Sequence, residues 1–216
     1  MNKMKNPLPI FPGRLRKNDA LFIYGASQEK PFVYIYEQQT VEIVHGPSFR
    51  ADREIVVDRC EENGIMVTER RGGGGTVVLS PGVLVIVVTS EKKNEREGAL
   101  DIFSRVHDAV IIALSKVGVN DVVRAGISDL VVGSKKILGS SLYIGSKPTL
   151  YYYQSSLMVS NDLTLLDRYL RHPPREPDYR GGRSHKDFCT TLQVLGLRVD
   201  TRELAGLIES ELKNLL

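Results

Sequence analysis

A chain of 216 residues with 42% hydrophobic and 25% charged side chains is long enough for one full core and short for two. Its 29 basic and 26 acidic residues leave a net charge of +3, which excludes the basic stripe of a protein whose main partner is nucleic acid. Two cysteines, Cys60 and Cys189, and four scattered histidines, His45, His107, His172 and His185, give neither a disulfide framework nor a zinc spacing.

The N-terminal MNKMKNPLPIFPG has charge but no apolar run before its prolines. No stretch approaches the roughly 18 apolar residues of a membrane span. The chain therefore reads as a cytoplasmic single domain, 1–216, with residues 1–30 as an N-terminal segment and no membrane partner. Phe32 to Tyr36 and Thr40 to His45 are β-branched and aromatic runs around the short turn Glu37-Gln38-Gln39, the pattern of two strands. Asp52 to Asn63 carries Ile55, Val56, the Arg59 stem and Cys60 on one helical face and stops at Asn63-Gly64. A strand, Ile65 to Arg70, leads into four consecutive glycines.

Val83 to Val88 is apolar at every position, as expected of a strand covered on both faces. The charged stretch Glu91 to Glu97 opens a long amphipathic helix through Val117, with Leu100, Phe103, Val106, Val110, Ala113 and Val117 inward and Gly118 at its end. From Val122 to Val159 the chain is strand-like again, broken by Gly126, Gly133, Gly139, Gly145 and Pro148. Asp162 to Arg171 is a short helix stopped by Pro173-Pro174, and Pro173 to Arg183 a polar loop. Thr201 to Leu216 closes as a helix with Leu204, Leu207, Ile208, Leu212 and Leu215 inward. Grouped strands with intervening helices predict an α/β (α+β) fold, a mixed-sheet sandwich flanked by helices.

The glycine run lacks the Lys-Ser/Thr of a Walker loop and the spacing of a dinucleotide fingerprint. It has Arg70 and Arg71 immediately upstream. Each glycine inside a strand pair costs roughly 0.5–1 kcal/mol relative to Ala, so four together predict close approach of a ligand to the backbone. Guanidinium forks and bare amides of a glycine turn suit phosphate; a ligand-free glycine hairpin is the alternative. In the second segment, Ser134-Lys135-Lys136-Ile137-Leu138-Gly139-Ser140-Ser141, an ammonium stands beside residues small enough for close backbone approach. A solvated hairpin turn is the alternative there.

RRGGGGTVVLSPGVL, SDLVVGSKKILGSSLYI, YYYQSSLMVSNDLTLLDRYL and GRSHKDFCTTL together resemble, in order and approximate spacing, the lipoate-protein ligases of the biotin and lipoate ligase superfamily. The resemblance covers the chain from about Phe32 onward. It implies a catalytic domain without the C-terminal accessory domain, and ATP-dependent formation of lipoyl-AMP or octanoyl-AMP followed by acyl transfer to a lysine of a lipoyl-domain protein. It implies ATP, Mg2+ and lipoate as cofactors and substrates, a separate accessory protein as a further partner, and no protein-held metal. Lys136 matches the family's lysine, because Gly139-Ser140 follow it at the right distance. Around ATP or lipoyl-AMP the resemblance sets Arg70, Arg71, Gly73, Gly74, Gly75, Thr76, Val77, Val78, Asp129, Lys136, Gly139 and Ser140, and against the acyl or acceptor group Gln154, Ser155 and Ser156.

The chain departs from the family pattern in three places. Leu79 and Ser80 stand where a histidine is usual, Ser128-Asp129 where Asn-Asp is usual, and Gln154-Ser155-Ser156 where His-Gly-Thr is usual. Two alternatives therefore stay open: an ATP-independent octanoyl or lipoyl transferase working through a cysteine thioester, with Cys189 the nearer cysteine, and a non-catalytic lipoyl or nucleotide-binding homologue.

Overall fold

The computed structural model describes residues 17–145 and 149–216. The leader-free reading of Met1 to Gly13 and the break at Pro148 lie outside the described residues. In chain order the elements are α1 (Lys17–Ser27), β1 (Phe32–Glu37), β2 (Glu42–His45), α2 (Ala51–Glu54), α3 (Val57–Glu62), β3 (Met66–Glu69), β4 (Val77–Leu79), β5 (Val83–Glu91) and α4 (Ala99–Lys116). They continue with β6 (Val122–Ala125), β7 (Asp129–Val132), β8 (Lys135–Ile144), β9 (Leu150–Met158), α5 (Thr164–Tyr169), a 3-10 turn at Asp178–Arg180, α6 (His185–Phe188) and α7 (Thr201–Leu215).

Six strands form one sheet in the order β1-β5-β9-β8-β7-β6, every neighbouring pair antiparallel. The second sheet, β3-β2-β4, is mixed, β2 running parallel to β3 and antiparallel to β4. β5 is buried on both faces, as its unbroken apolar text predicts. Leu84, Ile86 and Val88 pack with Ile102, Val106 and Val110 of α4 and with Leu204, Ile208 and Leu212 of α7. Val83, Val85 and Val87 face the other way, against Val44 and Leu79 of the small sheet and Leu21 of α1. The layers are thus helices, large sheet, then small sheet with α1. No helix among the described residues is long and apolar enough to cross a membrane.

Several local expectations change. The strands at Phe32–Glu37 and Glu42–His45 are adjacent in sequence but belong to different sheets. The expected helix from Asp52 to Asn63 is two short helices, because Ile55 turns extended at φ −127°, ψ 159° and bridges Leu170, while Val56 N donates to Tyr169 O at 2.9 Å. Tertiary pairing overrides helical pattern at that point. The long helix begins at Ala99 rather than at Glu91, which ends β5; Asp101 accepts the Gly98 backbone N–H at 2.9 Å and closes the first turn. Leu100, 65% exposed, and Leu215, 37% exposed, lie off the inward stripes. α1 escapes the sequence pattern because its apolar residues, Ala20 to Tyr24, are contiguous and have no helical period.

Candidate active site

Lys136 opens the site from β8. Between Leu130 and Val131 the register of β7 on β8 shifts: Leu130 pairs Leu138 and Val131 pairs Lys136, leaving Ile137 as an extra residue. Ile137 and Leu138 both enter the helix-side core. Side chains alternate along a strand, so the bulge reverses the parity of everything before it. Lys136 and Gly139, three positions apart, consequently share a face. A Cβ built on Gly139 would stand 2.6 Å from Lys136 Nζ and 2.7 Å from its Cε, so only glycine lets the lysine lie across the strand. The Lys-x-x-Gly spacing has this physical meaning.

The ammonium lies 2.7 Å from Asp129 Oδ1 and 6.0 Å from the centre of the Phe188 ring. Asp129 Oδ2 accepts the Tyr179 hydroxyl at 2.7 Å, and burial together with the Asp129 charge pushes the phenol of Tyr179 well above its ordinary range. The segment after α6 runs beside Lys136: Thr190 N donates to Lys136 O at 2.9 Å, and Cys189 forms a parallel bridge with Lys136. Burial raises the Cys189 thiol above its usual range, against the opposing pull of Lys136 and Arg180.

The glycine loop reaches the same face from the small sheet. A Cβ on Gly72 would meet Ser141 Oγ at 2.9 Å and Leu142 N at 3.0 Å, so the loop's backbone rests directly on β8. Ser141 and Gly139 are alternate residues of one strand, which puts Gly72 and the Lys136 ammonium over positions about 7 Å apart. Gly73, Gly74 and Gly75 are exposed. The two arginines divide. Arg70, 6% exposed, donates to Val44 O at 3.2 Å, Gly73 O at 2.9 Å and Gly75 O at 2.8 Å; its guanidinium fastens the loop to β2, and burial lowers its pKa to about 10. Arg71 turns toward α1, its guanidinium 4.6 Å over the Phe22 ring and 5.7 Å from that of Tyr143. Thr76 donates to Glu54 Oε2 at 2.6 Å, while Val77 and Val78 pack inward. Leu79, in the position where a histidine is usual, is buried in the inter-sheet core, and Ser80 is buried beside it.

β9 completes the floor. Gln154 and Ser156 lie opposite Ser141 and Gly139, so they share the face that carries Lys136. Ser140 and Ser155 pair with each other and point to the helix side instead. The Ser140 hydroxyl is 2.9 Å from His107 Nε2 and 2.9 Å from Tyr153 Oη, a polar chain inside the core. Burial first, and Arg124 second, hold His107 down at about 4, and desolvation pushes Tyr153 up to about 12. The fold therefore brings together Arg71, the glycine loop, Asp129, Lys136, Gly139, Gln154 and Ser156, and turns the side chains of Ser140 and Ser155 away. Sequence reasoning missed Ser141, Tyr143, Tyr179 and Phe188. Period-2 alternation from Gly139 points to Ser141 and Tyr143; nothing local points to Tyr179.

The arrangement has a fixed cation, bare backbone amides above a small-residue floor, and an aromatic rim, the means to hold a phosphate and a carbonyl side by side. No curated protein sequence matches the chain significantly. Among solved structures it is similar to the bipartite lipoate protein ligase of Thermoplasma acidophilum, described with its E2 lipoyl domain, at TM-score 0.76 and 22% identity over 90% of this chain and 75% of that one. A lipoate-protein ligase A bound with ATP matches at TM-score 0.75 and 20% identity, over 92% and 77%. The putative lipoate protein ligase of T. acidophilum with bound lipoic acid matches at TM-score 0.73 and 20% identity, over 92% and 77%. These likenesses establish the fold, and the sequence profile of the lipoyl protein ligase A/B catalytic domain matches residues 19–213. The chain belongs to the lipoyl protein ligase A/B catalytic domain family.

Proposed function

We propose that the protein is an ATP-dependent lipoate-protein ligase. A lipoate or octanoate carboxylate attacks the α-phosphate of ATP, giving acyl-AMP and pyrophosphate; an acceptor lysine amine then attacks the acyl carbonyl, giving the amide and AMP. The observation that carries this reading is Lys136 laid over Gly139 by the bulge, next to the strand position on which the glycine loop rests. An ammonium there meets phosphate charge in the first step and carbonyl oxyanion charge in the second. Exposed amides of Gly73 to Gly75 supply donors to the phosphate, and Gln154 and Ser156 supply hydrogen bonds on the floor. Arg70 acts in this scheme by holding the loop in shape, and Arg71, stacked over Phe22 beside Tyr143, adds a second guanidinium next to it.

Asp129 is the carboxylate at this site, and among the described residues no group of three or more His, Cys, Asp or Glu side chains is arranged to hold a metal. Both oxygens of Asp129 are engaged, Oδ1 by the Lys136 ammonium and Oδ2 by the Tyr179 hydroxyl, so Mg2+ entering with ATP would be held by the nucleotide's own phosphates, where it would supply charge neutralisation. The acceptor is a lipoyl-domain protein and the compartment the cytoplasm. A separate accessory polypeptide acts with this catalytic domain, a reading supported by the bipartite organisation described for the structurally similar archaeal ligase.

The bridge between Cys189 and Lys136 favours a second reading, ATP-independent acyl transfer through a Cys189 thioester. Against it, Cys189 is 8% exposed and its thiol is raised, whereas such a nucleophile needs access and a lowered pKa. The two readings separate in one assay: a lipoyl-domain acceptor is incubated with octanoate or lipoate and Mg-ATP, with and without a candidate accessory protein, and its mass is followed. An ATP-dependent acyl gain lost in Lys136→Ala supports the ligase. Gain from an acylated carrier without ATP, abolished by Cys189→Ser, overturns it. Absence of gain under every condition points to a binding protein.

A further inference from the structure

We propose that Tyr179 is a positioning residue for Lys136 and acts through Asp129; its consequence for catalysis rests on the ligase reading of Lys136. The carboxylate is divided between two donors. Tyr179 Oη occupies Oδ2 at 2.7 Å and the ammonium contacts Oδ1 at 2.7 Å. A phenol that has committed its proton to one carboxylate oxygen draws charge from the other, so the lysine is held by a weakened single contact. It can leave that contact for a phosphate or carbonyl oxygen. With both oxygens open, Asp129 would draw the ammonium between them and retain it.

The phenol is itself held firmly. Its ring lies 5.2 Å from that of Phe188 at 43°, and its Cε1 lies 3.4 Å from where a Cβ would stand on Gly126. The Tyr179 carbonyl accepts Arg183 Nη2 at 2.7 Å, and Arg183 Nη1 donates to Ser134 O at 2.9 Å. The polar loop from Pro173 to Arg183 is thereby clamped to the turn between β7 and β8, the hairpin that carries Asp129 and Lys136. Its role is to deliver one hydroxyl to the far side of the carboxylate.

Tyr179→Phe removes the proton and keeps the ring. Acetic anhydride labelling of the folded protein, read by peptide mass with Lys135 as internal reference, is expected to slow at Lys136 about three- to tenfold, the scale of one ordinary net hydrogen bond. Asp129→Asn should speed it, and Tyr179→Phe should add nothing when combined with Asp129→Asn. A more acidic phenol, 3-fluorotyrosine at position 179, should speed labelling and serves as the readout if the Phe variant is unstable. In parallel, single-turnover acyl-adenylate formation by Tyr179→Phe should fall about tenfold with KM for ATP unchanged. Unchanged or faster labelling of Lys136 in Tyr179→Phe overturns the proposal, whatever the activity. The expected labelling pattern in a wild-type protein that makes no acyl-adenylate overturns the ligase reading and leaves the coupling standing.

Discussion

Gly139 and Lys136 occupy one another's space: the only side chain that fits at position 139 is a hydrogen atom, because the lysine's terminal atoms stand 2.6 and 2.7 Å from where a Cβ would be. The clash is with the far end of a flexible chain, so the fold can accept a methyl group by moving the lysine. Gly139→Ala is expected to leave unfolding free energy within about 1 kcal/mol of wild type and to lower acyl-adenylate formation at least tenfold. Urea unfolding and pyrophosphate release measure the two sides. Unchanged turnover would show that the ammonium need not lie over the strand.

Arg70 predicts the opposite split. It serves three carbonyls, Val44, Gly73 and Gly75, from a buried position, and those acceptors lose their donor if it is removed. Arg70→Met is expected to cost about 3 kcal/mol or more in stability, with faster amide exchange across Gly72 to Thr76. Arg70→Lys should recover only part, because an ammonium cannot span the acceptors of a planar fork. Stability close to wild type in the Met variant would refute this structural role.

Neighbouring serines should behave differently because they face opposite layers. Ser140→Ala strands His107 Nε2 and takes one partner from Tyr153 Oη in the core, and is expected to cost about 1–3 kcal/mol, with KM values unchanged in the fraction that folds. Ser141→Val enlarges the side chain against Gly72, lifts the loop from β8, and should raise KM for ATP more than it changes stability. Reversal of the two phenotypes would mean that the strand's faces are exchanged.

His107 makes stability depend on pH. Its folded pKa of about 4 lies below the unfolded 6.5, so between these values the unfolded chain binds more protons and stability falls as pH falls. The contribution is complete above about pH 6.5 and gone by about pH 4, roughly 3 kcal/mol at most. His185, also lowered by burial, adds with the same sign. His107→Gln should therefore show a flatter urea-midpoint curve than wild type across that window; parallel curves would refute the assignment.

Lys136, Gly139 and Asp129 were legible as a motif, and β5, α4 and α7 as apolar periodicities, since each is a local pattern. The rest depended on contacts distant in the chain. Ser140 was singled out ahead of Ser141 because a motif has no faces, and the faces are set by the bulge at Ile137, invisible until β7 pairs with β8. Arg70 looked like a phosphate ligand because its actual acceptors include a carbonyl of β2, 26 residues upstream. Ile55 broke a well-patterned helix for a bridge to Leu170, 115 positions away.

The glycine loop hangs from the small sheet, whereas Lys136 and its floor belong to the large one. The aperture between them is therefore set by the apolar spacers that separate the layers, Val44 and Leu79 against Val83 and Val85, none of which has a polar atom to offer a substrate. One methyl group gained or lost among those spacers is expected to change the separation of the two layers. On the ligase reading, acyl-chain tolerance would in that sense be tuned from the interior, as a vice is adjusted by its screw rather than its faces.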